Sequence, residues 1–188
     1  MRRIPVLPTI IVGLAIATMI GLGVWQLQRM AWKNHLLASY SAAQGLAVIP
    51  WPRHIDSSNP PLFRRSTGYC AKVLGWRSAS GRNLKAQSGW VHIADCRTAD
   101  GAEMQTVMGW SERPDSPKWK GGEVSGIIAP DSSHVIRLVA ERPAPGLQAA
   151  QPPSLEDIPN NHFGYAVQWF LFAAIAGVIY MLALGRRK

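Results

Sequence analysis

The chain has 188 residues, a mean hydropathy of zero and a formal charge of +9, from 20 Lys and Arg against 11 Asp and Glu. A basic surplus of this size is typical of nucleic-acid-binding proteins. Its distribution argues against that class, because residues 4–28 and 158–185 contain no charged side chain. Each stretch is long enough for an α-helix to cross the hydrocarbon core of a bilayer, which takes about 20 residues. A freely soluble enzyme and a disordered protein are therefore excluded, and we expect a membrane protein with one domain between two spans.

The first apolar stretch, Ile10 to Leu27, begins soon after two arginines. It is too long for the apolar segment of a secretory signal peptide, and no small-residue cleavage site follows it, so we expect it to remain as a membrane helix. Basic residues lie before the first apolar stretch and after the second, and they are Arg2, Arg3, Arg186, Arg187 and Lys188. Positive residues near the ends of spans stay on the cytoplasmic side. This predicts cytoplasmic termini and a periplasmic central domain, and, without an Arg- and Ser-rich presequence, a bacterial inner membrane.

Between the spans, the sequence first predicts a short helix and then an extended connection. Apolar residues at 32, 36, 37 and 40 have the spacing of one helical face, which indicates a helix over 32–43. Residues 50–63 contain four prolines, so they are expected to connect without forming a central strand.

Short β-rich stretches separated by turn residues follow, at 69–76, 88–95, 104–110, 122–129 and 133–140. They predict a small, mainly antiparallel β domain, either a barrel or a sandwich, with the one short helix beside it. The predicted segments are an N-terminal transmembrane helix (1–28), the β domain (29–142), a Pro-rich return arm (143–160), a C-terminal transmembrane helix (161–185) and a basic tail (186–188).

Two cysteines, Cys70 and Cys96, each fall in a predicted strand. Ser78, Gly81 and Asn83 lie between these strands and predict a turn, and a hairpin centred near Asn83 places the two cysteines directly opposite each other. Opposed strand residues are within reach of a disulfide, so we expect a bridge in the oxidising periplasm, with two buried thiols as the alternative. A redox or zinc site is not expected, because there is no CxxC pair and no nearby group of further ligands.

Seven of the eight tryptophans fall into two groups. Those near the outer ends of the spans, where amphipathic rings are favoured at the headgroup level, are Trp25, Trp32 and Trp169. Those in or beside the β stretches, where core packing is expected, are Trp76, Trp90, Trp110 and Trp119. The same hairpin register places Trp76 opposite Trp90. Because the central domain is predicted to lie outside the cytoplasm, we do not expect it to bind nucleic acid. The expected partner of the two spans is the lipid bilayer.

Small residues recur in both spans. Gly13, Ala17 and Gly21 follow one another every four residues in the first, and Ala173 and Gly177 form a shorter stripe in the second. Such stripes let another helix approach closely, which favours packing of the two helices on each other or on a partner. The alternative is that small residues are simply frequent in membrane helices.

His162 lies at the start of the second uncharged stretch, where an ionisable residue indicates a functional site. On a helix, Tyr165 and Trp169 share its face. A neutral imidazole beside aromatic rings can be an axial ligand of haem iron. The alternative is that Asn160 or Asn161 caps the helix and His162 lies at the headgroup boundary. The other histidines are scattered and are expected to be ordinary surface or packed residues: His35, His54, His92 and His134.

Two motifs at opposite ends of the chain resemble the signatures of one family. One runs from Gly23 through Trp25, Gln26 and Arg29 to Trp32 and Lys33, and the other runs from Asn160 through His162, Gly164 and Tyr165 to Trp169 and Phe170. Both are similar to motifs of the surfeit locus protein 1 family, the assembly factors of cytochrome c oxidase. The Gly-Trp pairs at 89–90 and 109–110 also resemble family landmarks, although Gln87 and Ser88 stand where the family usually has an Asn-Arg pair.

The resemblance implies a role in maturing the haem-bearing subunit of the oxidase, with haem a passed from haem a synthase to that subunit. The family's histidine corresponds to His162, which would bind the haem iron, and Tyr165 and Trp169 correspond by position to pocket neighbours. Trp25 and Arg29 match the first motif. A guanidinium at Arg29 would pair with a haem propionate or, alternatively, anchor the topology.

The expected function is therefore that of a non-enzymatic chaperone that binds haem a between its transmembrane helices. The alternative is a structural scaffold or accessory subunit that stays with the oxidase without binding haem. An enzyme is not expected, because no nucleophile, base and orienting group are grouped in the sequence.

Overall fold

A computed structural model describes residues 5–115 and 117–186 and divides the chain into two compact units. The helical unit extends to Leu37 and resumes at Ile158, and the β unit is Ala38–Asp157. Four of the five terminal basic residues used to predict the orientation lie outside the described residues: Arg2, Arg3, Arg187 and Lys188.

Two long helices account for the two apolar stretches. They are α1 (Val6–Gln44) and α2 (His162–Arg186). Both are long and apolar enough to cross a membrane, with mean hydropathies of 2.2 and 2.1 in their most apolar windows. Pro5 precedes α1 and Gly45 follows it, which are favoured positions for these residues at the two ends of a helix.

The prediction of a separate short helix over 32–43 is wrong. These residues continue α1 without a break, because neither Gly nor Pro occurs between Gly23 and Gly45. The end of α1 belongs to the β unit, where the ring of Tyr40 packs 5.0 Å from the ring of Phe63. A short helical element occurs elsewhere, as one 3₁₀ turn at Leu155–Asp157 in the predicted return arm.

Within the helical unit, α1 and α2 pack closely at Gly23. A Cβ atom at this position would lie 2.6 Å from Cε1 of Phe170, so the ring occupies the space that a larger residue would need. Further along the pair, a Cβ atom at Gly177 would lie 3.8 Å from Cδ1 of Ile16. Near the other end, the hydroxyl groups of Thr9 and Tyr180 are hydrogen-bonded.

Only one of the two predicted small-residue stripes lies in this interface. Ala173 is buried and Gly177 approaches Ile16, whereas Cβ atoms at Gly13 and Gly21 would have no other described atom within 4 Å. Gly13 and Gly21 of the first stripe therefore do not pack against α2. The contact uses Thr9, Ile16 and Gly23, which recur every seven residues on another side of α1.

The β unit contains one mixed sheet. Its strands are β1 (Ile49–Pro50), β2 (Arg65–Arg82), β3 (Ser88–Thr98), β4 (Glu103–Ser111), β5 (Gly122–Pro130) and β6 (Ile136–Ala140). The hydrogen-bonded order is β1-β2-β3-β4-β6-β5, and β5 also pairs with β2, so the pairing of β2 to β6 returns to its starting strand. Among the described strands, the β1–β2 and β4–β6 pairs are parallel and the other pairs are antiparallel.

Strand β2 is longer than the predicted 69–76 because it pairs with two partners. Its first part, Arg65 to Cys70, pairs with β5, and the part from Cys70 to Arg82 pairs with β3. Irregularities in the β2–β3 register follow Cys70 and Val73. Bulges of this kind bend a strand and increase its twist, which suits a strand that changes partner partway along its length.

The predicted register of the β2–β3 hairpin is wrong. Trp76 lies opposite Ala94 rather than Trp90, and Cys70 lies opposite Thr98. Ser78 and Gly81 belong to β2 rather than to the turn.

The reason is that Asn83 starts the turn instead of being its centre. The side-chain oxygen of Asn83 accepts hydrogen bonds from the backbone N–H groups of Lys85 and Gln87. Cys70 and Cys96 nevertheless form a disulfide, with Cα atoms 5.3 Å apart, although they are not directly opposed in the β2–β3 register.

The core of the β unit includes one of the four tryptophans expected there as a buried side chain. Trp110 is only 1% exposed, whereas Trp90 is 38% exposed and the prediction for Trp90 is wrong. Trp76 and Trp119 are half-buried and pack edge to face, with ring centroids 6.2 Å apart. Trp51, which carried no prediction, is also buried.

The return arm is held along the sheet rather than being free. Gln148 exchanges backbone hydrogen bonds with Trp110, and Ala150 bridges to Asn83. The buried side chain of Asn83 donates to the side-chain oxygens of Gln87 and Gln148. One residue therefore connects the β2–β3 turn to the arm.

Candidate functional site

His162, the first residue of α2, contacts a polar side chain on α1. Its Nδ1 lies 2.7 Å from Oε1 of Gln26. Because an amide oxygen only accepts, this hydrogen bond requires a proton on Nδ1, and a neutral imidazole then has its lone pair on Nε2. An imidazole that donates one ring N–H to a carbonyl oxygen is oriented to bind a metal through its other nitrogen.

The close contact at Gly23 sets the register that brings Gln26 to His162. Gly23 lies one helical turn before Gln26 on α1, and its contact with Phe170 brings the two backbones together. With the helices at this distance, the Gln26 side chain reaches His162 directly. The packing of Gly23 against Phe170 therefore favours the hydrogen bond between Gln26 and His162.

Two further polar contacts hold the start of α2 against α1. Lys33 donates through Nζ to the backbone carbonyl of Pro159, and Nδ2 of Asn160 donates to Oδ1 of Asn34 at 2.7 Å. The carbonyl of Asn161 accepts from the N–H of Tyr165, which makes Asn161 the residue at the N-cap position. The helical unit therefore has a polar end, defined here by Gln26, Lys33, Asn34, Asn160 and His162.

The aromatic residues predicted beside His162 are only partly enclosed. Tyr165 is 51% exposed. Trp169 is half-buried and packs edge to face against Phe172, with ring centroids 6.3 Å apart. Tyr165 and Trp169 both lie within the first eight residues of α2.

Trp25 is exposed on α1, and Arg29 contacts the ring of Trp32. Trp25 is 52% exposed, and its position on α1 is turned by about half a helical turn from Gly23, which faces α2. The guanidinium of Arg29 lies over the ring of Trp32, 4.4 Å from its centroid. The cation of α1 that contacts the start of α2 is Lys33 instead.

The donor set at the polar end fits one axial ligand for an iron porphyrin. His162 offers one ring nitrogen with its lone pair, and Gln26 orients that ring. The apolar surfaces of α1 and α2 adjoin this end on one side, and Lys33 and two asparagines lie on the other. This gradient suits an amphipathic ligand with one apolar part and one charged edge.

Sequence reasoning did not select Gln26 or Lys33 as site residues, although both occur in the first motif. Gln26 is an uncharged polar residue near the end of an apolar span, as His162 is at the start of the other. Matching polar residues at equal depths in two spans would have been a usable signal.

The β unit buries a separate polar cluster around His92. Nε2 of His92 lies 2.7 Å from Oγ of Ser111, and Nδ1 lies 3.3 Å from Oγ of Ser78. Ser111 donates its hydroxyl proton to the carbonyl of Arg113, so Ser111 and His92 are not arranged as a nucleophile and its base. Burial lowers the pKa of His92, although the Arg113 carbonyl and the charge of Asp115 oppose this shift.

A second buried cluster surrounds Asp131. Nη2 of Arg77 lies 2.5 Å from its Oδ2, and Nη1 of Arg137 lies 3.6 Å from its Oδ1. Burial by itself raises the pKa of Asp131, but the hydrogen bond and charge of Arg77, with the backbone N–H of His134 and the charge of Arg137, lower it overall. Within residues 5–115 and 117–186, no group of three or more His, Cys, Asp or Glu is placed to hold a metal ion.

A comparison with protein-family models finds one match. The model described as the SURF1 family matches residues 13–174, which include His162, Gln26 and most of both helices. No curated protein matches the chain.

Proposed function

Because the chain belongs to the SURF1 family, which is known for cytochrome c oxidase assembly, we propose that it assists this assembly as a membrane chaperone for haem a. In this proposal His162 binds the iron of haem a through Nε2, and the chain passes haem a from haem a synthase to the haem-bearing subunit of the oxidase. Haem a is the cargo of the protein rather than a resident cofactor.

The observation that carries this proposal is the hydrogen bond between His162 and Gln26. In the neutral ring it makes Nε2 the nitrogen that is available to iron, and it favours one orientation of the ring. A histidine that merely marked the headgroup boundary would need no partner on the other helix. Tyr165 and Trp169 are neighbours of this ring along α2 and supply aromatic surface for a porphyrin.

We also propose that α1 and α2 cross a bacterial inner membrane and that the β unit lies in the periplasm. The length and composition of the two helices support the crossing. Arg186, which ends α2, supports a cytoplasmic position for that end. The Cys70–Cys96 disulfide supports an oxidising compartment for the β unit.

Haem titration of the purified full-length protein in detergent tests the proposal. We expect the wild type to bind haem with the absorption spectrum of a histidine-ligated iron, and His162→Ala to lose that spectrum. His35→Ala is the matched control, because it removes an exposed imidazole from α1. If His162→Ala retains the spectrum and stoichiometry of the wild type, the ligand assignment is wrong.

Co-purification with the oxidase separates the chaperone from a scaffold. If the wild type binds no haem, yet both it and His162→Ala stay bound to the oxidase, the protein is a structural scaffold or accessory subunit. The chaperone proposal instead requires His162→Ala to lower the haem content of the assembled oxidase.

A further inference from the structure

We propose that Lys33, rather than Arg29, binds the propionate carboxylates of the haem that the proposed function places on His162. This inference rests on the proposed function and adds the second anchoring group of the same site. The two propionates are the charged groups of a haem, and they project from one edge of the macrocycle. A site that binds the iron from an apolar helix pair therefore needs a cation on its polar side.

Lys33 lies at the required depth. It follows Gln26 by seven residues and so lies on the same side of α1, about 10 Å further along the helix axis. This displacement is directed away from the apolar part of α1 and toward the polar end. If a haem bound to His162 has its propionates toward the polar end, these carboxylates would lie near Lys33.

The ammonium of Lys33 retains donors for a carboxylate. One of its N–H groups donates to the carbonyl of Pro159, and an ammonium has three such groups. This contact also orders the lysine, because the half-buried side chain is held against the start of α2. Ordering before binding reduces the conformational entropy that a long side chain loses when it binds a ligand.

The start of α2 adds to the positive potential at Lys33. The first turn of α2 contains no acidic residue, so its backbone N–H groups have no carboxylate partner there. Lys33 is held at this turn by Pro159. The helix end alone would not define a site, but the lysine placed beside it supplies a full charge.

Arg29 is in a different situation. Its guanidinium lies over the exposed ring of Trp32, an arrangement that stabilises the cation on the outer surface of α1. Binding a propionate would require Arg29 to leave this ring, whereas Lys33 is already at the polar end.

The test compares two ligands and three substitutions in the full-length protein. The ligands are ferric protoporphyrin IX and its dimethyl ester, which has the same iron and macrocycle but no free carboxylates. Lys33→Met is expected to weaken binding of the free acid about tenfold, as expected for loss of a charge-assisted hydrogen bond. It should leave the histidine-ligated spectrum and the affinity for the ester unchanged.

Lys33→Arg is expected to restore most of the affinity for the free acid, which shows that charge rather than folding is responsible. Arg29→Met removes a cation from the same helix and is expected to bind both ligands as the wild type does. If Lys33→Met matches the wild type with the free acid, or if Arg29→Met has the larger effect, Lys33 is not the propionate partner and the proposed function stands. If the wild type binds neither ligand, both proposals fail.

Discussion

Several buried polar side chains in this chain have hydrogen-bond or ion-pair partners that affect their contribution to stability. Burying a polar group without a hydrogen bond costs about 1–3 kcal/mol, so the bonds of His92, Asn83 and Asp131 are needed to offset their burial. Among these, the imidazole of His92 and the carboxyl group of Asp131 both have lowered pKa values, and they start from ordinary values of 6.5 and 3.8. The pH dependence of stability should therefore separate the two residues.

For His92, burial lowers the pKa below its ordinary value of 6.5. As the pH falls through 6.5, the unfolded chain takes up a proton before the folded chain does, so the free energy of unfolding decreases until the folded pKa is reached. We expect His92→Gln to remove this part of the pH dependence. Tryptophan fluorescence during denaturation in detergent, at a series of pH values from 7.5 to 5.5, measures it.

The control for His92 is His54→Gln, because His54 is exposed in the connection before β2. That variant should show the same decrease as the wild type. If the free energy of unfolding of His92→Gln falls with pH as steeply as that of the wild type, the buried imidazole does not govern this pH range.

Below pH 3.8, a further loss of stability is expected as Asp131 becomes protonated, because two arginines lower the pKa of Asp131 in the folded chain.

At the residue scale, sequence patterns draw attention to residues whose type is unusual in its context. His162 stands out as an ionisable group beside an apolar stretch, and the pair of Cys70 and Cys96 stands out in a chain without other cysteines. Gln26 and Lys33 could not be assigned in this way. Their roles depend on the rotation of α1 about its axis relative to α2, which the packing of Gly23 on Phe170 determines.

The elements show where local patterns stop being informative. Ser78 and Gly81 have low strand propensity, yet both lie in β2 because pairing with β3 satisfies their backbone groups. The irregularities after Cys70 and Val73 change which residues face each other, and no alternation of polar and apolar residues reveals them. The existence of β2 to β6 was therefore predictable here, whereas β1, strand ends and register were not.

At the helix pair, we predict that Gly23→Leu will destabilise the packing of α1 on α2. The Phe170 ring occupies the space beside Gly23, and overpacking of this kind costs about 1–3 kcal/mol. The same substitution should separate Gln26 from His162. Unfolding of the purified protein in increasing fractions of a denaturing detergent measures the change.

Gly21→Leu is the matched control, because Gly21 lies in the same helix with open space around its Cα. It should unfold like the wild type. Adding Phe170→Ala to Gly23→Leu should recover part of the lost stability by making room for the leucine. If Gly23→Leu and Gly21→Leu behave alike, α1 and α2 do not pack at Gly23.

The whole molecule combines two units with different requirements. The two helices of the helical unit are long and apolar enough to cross a membrane, and the β unit has its own buried core, which includes Trp110, Ile93 and Leu138. In the sequence, charged residues are absent from two long stretches and are present throughout the region between them. From the proposed topology, we expect the β unit and the end of α2 to lie on opposite sides of one membrane.

Cysteine labelling in intact spheroplasts tests this orientation. Ala99→Cys, in the exposed turn after β3, should react with a membrane-impermeant maleimide without permeabilisation. Gly185→Cys, near the end of α2, should react only after the membrane is opened. The native cysteines do not interfere, since they are joined in a disulfide. Labelling of Gly185→Cys in intact cells would contradict the proposed topology.

The Cys70–Cys96 disulfide also bears on the order in which this chain matures. Both cysteines are synthesised well before α2, and at about 5–20 residues per second the ribosome needs several seconds to reach His162 from Cys96. Disulfide formation takes seconds or longer, so crosslinking of β2 to β3 and synthesis of α2 fall on the same timescale. A cell with slow thiol oxidation would complete the second helix around a reduced β unit. The supply of oxidant thus decides whether β5 and β6 add to a crosslinked pair of strands or to a free one.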